Sequence, residues 1–145
     1  MRTETFALLV KDHKVVEGII DELLETRASD KKRRQDLLNT LKKELQTHEG
    51  IEESVVYPLL EAKKSTHDLT LEAYQEHHVV DILLEELDAL DFKDQDWKAK
   101  LTVLQENLEH HVKEEEDGLF PQAEKVLTSE QLKHIEQRIA EAKSS

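Results

Sequence analysis

A gapless internal echo constrains the fold of this chain more than any other feature. The segment "DHKVVEGIIDELLE" (residues 12–25) aligns with "EHHVVDILLEELDA" (76–89) at an offset of 64, and "HEGIEESVVYP" (48–58) aligns with "HVKEEEDGLFP" (111–121) at an offset of 63. Apolar residues recur in these segments at the spacing of three and four that marks one face of an α-helix. A chain that repeats a pair of helical patterns in order builds two similar hairpins. Only three Gly and two Pro punctuate 145 residues, so long helices are expected rather than many short strands.

The first helical pattern runs from about Thr3 to Arg27, with Phe6, Leu9, Val10, Val16, Ile20 and Leu23 regularly spaced. After "ASD" (28–30), with Asp30 as N-cap, the second runs from Lys31 to about Lys64. "STHD" (65–68) supplies the caps of the third, which reaches Leu90. "DFKDQD" (91–96) leads to the fourth, which ends near Val126. Thr128 and Gln131 form a capping box for a short final helix. Short connections force neighbouring helices antiparallel. The expected fold is therefore all-α: an up-down-up-down antiparallel four-helix bundle over residues 1–127, with a short C-terminal fifth helix over 128–145 as an appendage of the same domain. Pro58 and Pro121 fall inside helices and should bend or break them, because each removes a backbone donor.

The repeat pairs His13 with His77, His48 with His111, and Glu52 with Glu115. His13 lies about 14 residues before the end of its helix, roughly 21 Å at 1.5 Å per residue, and His48 lies about 17 residues, roughly 25 Å, back along the next. Similar lengths in the second hairpin return His77 and His111 to the same level. Each Glu sits four residues after its His, on the same helix face. Four imidazoles and two carboxylates in one layer form a ligand shell for two metal ions, with Glu52 and Glu115 placed to bridge them. Imidazole suits iron, zinc, copper or nickel, and carboxylate adds hard oxygen.

The neighbouring residues receive plainer readings. Glu53 and Glu116 point about 100° away from the ligands and read as surface charge. Glu49, Glu114 and Asp117 read as solvated. Asp81 and Glu17, four residues after His77 and His13, are acceptors for an imidazole N–H or additional ligands. Tyr74, one turn before His77, reads as core packing. His67 and His134 read as surface, and His78 and His110, which have no histidine partner in the repeat, as ligand-supporting or surface residues.

The absence of Cys removes disulfides, thiolate metal sites and cysteine nucleophiles. A formal net charge of −13 disfavours nucleic acid and anionic membranes as partners. No apolar run is long enough to span a bilayer, no signal peptide is evident, and a cytoplasmic location is expected. "HEGIE" is not the zinc-protease motif, since its fifth residue is Glu52, and no Glu-x-x-His of the ferritin type occurs.

Taken together, "DHKVV", "HEGIEESVVYP", "EHHVVDILLEEL" and "HVKEEEDGLFP" resemble the recurrent segments of the hemerythrin-like, or HHE cation-binding, domains, over about residues 6–126. The resemblance implies a four-helix bundle with two non-haem iron ions joined by an oxo or hydroxo bridge, zinc or manganese being alternatives. It makes His13, His48, His77 and His111 terminal ligands, and Glu52 and Glu115 bridging ones. Asp81 stands where the oxygen-carrying hemerythrins have a second histidine on the third helix, which sets this chain apart from those carriers. The implied function is to bind, sense or react with a small oxidant: dioxygen, peroxide or nitric oxide. Two alternatives stand beside it, a metal store or buffer without redox role and a metal-free helical interaction module with a protein partner.

Overall fold

The apolar stripes of the two repeated hairpins face one another, and the chain closes over them. In a computed structural model, residues 4–144 are described. Thr3, the expected start of the first helix, lies outside them. A 3-10 turn, Glu4–Phe6, leads into α1, Ala7–Glu25. Helix α2, Lys31–Ile51, continues through a π-helical turn, Glu52–Val56, into α3, Tyr57–Glu61. Helix α4 spans His67–Ala89. Helix α5, Trp97–Glu114, continues through a second π-helical turn, Glu115–Leu119, into α6, Phe120–Val126. The last helix, α7, spans Ser129–Ser144. Among the described residues there is no strand, and none of the helices is long and apolar enough to cross a membrane.

The prolines neither break nor simply bend the two long rods. Pro58 and Pro121 cannot donate a backbone hydrogen bond, so the turn ahead of each is free to widen. It does so identically in both: the N–H of Tyr57 reaches Glu52 O, and that of Phe120 reaches Glu115 O, each five residues back. Such widened turns recur at functional sites.

The caps follow the local chemistry. Thr128 and Gln131 form the reciprocal capping box, each side chain accepting from the other's backbone N–H at 3.0 Å. Asp30 occupies the N-cap position of α2, but its carboxylate turns back to accept from the Arg27 N–H at 2.8 Å.

Buried positions follow the expected three-and-four spacing, and each key histidine occupies one of them. Helix α1 buries Leu9, His13, Val16, Ile20 and Leu23, and α4 buries Ala73, His77, Val80, Leu84 and Leu87. The apolar residues divide into two clusters. One, towards the inter-helix turns, includes Ile20, Leu41, Leu84 and Leu104; the other gathers Phe6, Val56, Tyr57, Leu119 and Phe120 with Ile135 and Ile139 of α7. The histidine layer lies between them.

At the turn end, Arg34 is buried beneath Trp97, with its guanidinium carbon 4.1 Å from the ring centre. It donates to Thr26 Oγ1 at 2.8 Å, to Thr26 O at 3.1 Å and to Phe92 O, tying the first and third connections together. Hydrogen bonds from charged donors contribute about 1.5–3 kcal/mol, and their loss here would leave buried carbonyls unpaired. Arg34→Ala is expected to destabilise the protein by about 3 kcal/mol in chemical denaturation, while leaving the histidine layer able to take up metal.

Candidate metal centre

Four helices bring their histidines into one layer, with His13 on α1, His48 on α2, His77 on α4 and His111 on α5, all 5% exposed or less. Glu52 and Glu115 open the two π-helical turns and are 0% and 1% exposed. The six residues that the repeat singles out thus meet in the bundle interior. They form two overlapping groups, His13–His48–Glu52–Glu115 and Glu52–His77–His111–Glu115, whose ligand atoms lie within 4.8 Å of one another. Both carboxylates belong to both groups. Each hairpin supplies the imidazoles of one half, and the glutamates join the halves.

The imidazoles are aimed by a ring of carboxylates. Asp12 Oδ2 lies 3.0 Å from His48 Nδ1, Glu76 Oε1 2.6 Å from His111 Nδ1, Glu116 Oε2 2.7 Å from His13 Nδ1, and Glu53 Oε2 2.7 Å from His77 Nδ1. A carboxylate only accepts, so each Nδ1 carries a proton and each ring turns its Nε2 inward, where loss of the second proton would free a lone pair for a cation. Inside, His13 Nε2 is 3.1 Å from Glu115 Oε1 and His77 Nε2 is 3.0 Å from Glu52 Oε1. His48 Nε2 lies 3.3 Å from Glu52 Oε2, and His111 Nε2 lies 3.4 Å from Glu115 Oε2. These two contacts are misaligned for hydrogen bonding, and His48 Nε2, His111 Nε2 and Glu52 Oε2 are buried without a hydrogen-bond partner. Inward Nε2 atoms, shared carboxylates and buried polar atoms without a hydrogen-bond partner fit a pair of cations.

Two assignments made from sequence are corrected here. Glu53 and Glu116 do turn away from the ligands on their own helices, and Glu53 stays exposed, but that turn also brings their carboxylates to His77 and His13 of the opposite hairpin. Glu49, read as solvated, is 7% exposed; burial, together with Asp81, pushes its carboxyl up to about 8. Asp12, Glu76 and Tyr57 were not anticipated as parts of the site. Tyr57 is fully buried, donates its hydroxyl to Glu115, and lies 3.1 Å from Glu52 Oε1 and 3.2 Å from His77 Nε2. Tyr74 packs edge-on against Tyr57 with ring centres 5.1 Å apart. Asp81 and Glu17 belong to neither four-residue group. His67, His78 and His134 are exposed, and His110 is 65% exposed.

On the inter-helix-turn side of the histidines lies a small cavity of about 20 Å³, bordered by Val16, Leu45, Val80 and Leu108. A single water needs about 10–15 Å³ of such space, so the cavity suits a molecule of two or three atoms.

The Hemerythrin HHE cation binding domain family matches residues 5–123, and the chain belongs to that family. It is 29% identical over 133 residues to a DNA nickase from Nostoc sp. (strain PCC 7120), covering 92% of this chain and 37% of that protein. The chain thus spans just over a third of that relative's length. A crystal structure of a hemerythrin HHE cation binding domain-containing protein from Mycobacterium kansasii superposes with a TM-score of 0.81 at 26% identity, covering 96% of this chain and 85% of the other.

The electrostatics of the layer set a pH dependence. Burial disfavours charged imidazole at all four positions, but the facing carboxylates outweigh it: His48 rises to about 10, His13 and His77 are raised, and His111 stands well above its ordinary value. Burial would raise Glu52, yet His48, His111 and His77 hold it well below the carboxylate range. Histidines with raised values contribute stability that is complete below their unfolded value of 6.5 and is lost as pH climbs through the folded one. The metal-free protein should therefore lose thermal stability from about pH 6.5 towards pH 10, as followed by circular dichroism. Because ligation displaces these protons, cation affinity should rise over the same interval, with proton release measurable by calorimetry in buffers of different ionisation enthalpy.

Proposed function

We propose that the chain holds two cations, with iron the best fit, between His13 and His48 on one side and His77 and His111 on the other, with Glu52 and Glu115 shared between them. The centre binds or reacts with a small oxidant such as dioxygen, peroxide or nitric oxide. The observation that carries this reading is the sharing of both buried carboxylates by two imidazole pairs, beside a cavity sized for a few atoms. Two imidazoles and carboxylate oxygen per ion, with positions left open, suit non-haem ferrous iron. Two adjacent ferrous ions, when bound, supply a pair of electrons to such a ligand.

The chain's own residues prepare that chemistry. Asp12, Glu53, Glu76 and Glu116 lock the imidazole rings and strengthen Nε2 as a donor. Tyr57 is kept protonated, since burial and then the charges of Glu52 and Glu115 raise its phenol well above the ordinary value. It therefore holds a proton at Glu115 and orients both carboxylates. The apolar clusters on either side exclude bulk water and organic substrates. The activity named for the Nostoc relative is not part of this proposal, because a formal charge of −13 opposes approach to a phosphate backbone.

Anaerobic loading with ferrous iron should give two irons per chain, magnetically coupled after exposure to air. Glu52→Ala with Glu115→Ala should abolish the coupled pair, and survival of both stoichiometry and coupling would refute the bridging assignment. Uptake of only trace metal would refute the metal reading altogether. Tyr57→Phe should retain two irons while changing their rate of oxidation in air roughly tenfold.

A further inference from the structure

The internal repeat makes the two halves of the centre near copies, so departures from the copy are informative. Asp12 and Glu76 are repeat partners, and each holds the Nδ1 of a histidine within its own hairpin. Their remaining oxygens meet different groups. Asp12 Oδ1 is 2.5 Å from Lys143 Nζ, brought in by α7, a helix that lies outside the repeat. Glu76 Oε2 instead faces the exposed His110 ring at 3.4 Å.

The outer environments differ in the same sense. Beside His77, the α2–α4 face carries Glu53, Asp81 and Glu85 along a cleft of about 400 Å³, where Lys42 is occupied by Asp88 at 2.9 Å. Beside His48, a lysine ammonium offsets Asp12, which is 7% exposed. Charges this close to a buried site are only weakly screened by salt.

We propose that the two halves fill in order, with His77 and His111 taking the first divalent cation and His13 and His48 the second, and that Lys143 sets the gap between them. The inference rests on the two-cation reading above. Lys143 acts as a positioning residue through Asp12. With its charge shared with the ammonium, Asp12 accepts less strongly from the His48 Nδ1–H, and His48 Nε2 becomes the weaker donor. The second cation meets that weaker donor, the lysine charge and the repulsion of the first cation together. The C-terminal helix thereby controls whether the centre holds one ion or two at limiting metal.

The test titrates the metal-free full chain, carrying ¹⁵N-labelled histidine, with Zn²⁺, following the ring signals by NMR and the two dissociation constants by competition with a chelator. The first equivalent should shift His77 and His111, and the second His13 and His48. Lys143→Met should narrow the gap between the two constants roughly tenfold, and Lys143→Arg should preserve it. Circular dichroism of both variants reports whether α7 stays docked. Should Lys143→Met release α7, removal of the carboxylate charge by Asp12→Asn, which leaves a weaker acceptor for the His48 Nδ1–H, must widen the gap for the inference to stand. Two Zn²⁺ taken up with all four histidines moving together would overturn the inference alone. An unchanged gap in a folded Lys143→Met protein would overturn the role of Lys143. Uptake of fewer than two Zn²⁺ would overturn both the inference and the two-cation reading.

Discussion

Two glutamates with essentially no exposure to solvent sit in the middle of a helical bundle, and the rest of the structure answers that fact. A carboxylate removed from water is strongly disfavoured unless opposite charge and hydrogen bonds surround it. Glu52 and Glu115 receive four imidazoles and one phenol, and every imidazole is backed by a further carboxylate. The network needs all four helices in register, because Glu53 and Glu116 reach across to the other hairpin while Asp12 and Glu76 stay within their own. The polar layer therefore fixes how the two hairpins pack, as well as what they enclose.

The apolar clusters on either side make this layer tenable. They keep the charges at short range of one another and away from bulk water, where a facing pair is worth much less. They also bring α7 into the arrangement. Ile135 and Ile139 pack with Phe6, Leu119 and Phe120, and that docking carries Lys143 to Asp12. Hydrophobic burial at one end thus places a charge at the centre.

Much of this was legible in the sequence, and for a definite reason. The helix count, the order of the helices and the common level of His13, His48, His77 and His111 follow from spacing and rise alone. Glu52 and Glu115 follow from the i,i+4 relation. The four supporting acids did not emerge, because an acid turned 100° from the ligand face looks like surface charge until the neighbouring helix is placed. The repeat did hold the signal, since it keeps an acid at all four positions: Asp12 with Glu76, and Glu53 with Glu116. Tyr57 was hidden by a different cause. Five residues of regular α-helix would leave it about 140° around from Glu52, and only the widened turn before Pro58 stacks it above that glutamate.

That turn is duplicated, but the residue it delivers is not. Where the first hairpin presents the hydroxyl of Tyr57, the second presents Phe120, whose ring lies flat against Phe6 with centroids 4.4 Å apart. A second phenol would compete for the same two carboxylates, so a twofold frame carries a single phenolic proton. The histidine layer consequently has a polarity that its ligands do not: one hairpin meets the shared carboxylates with a hydroxyl, and the other with a bare ring.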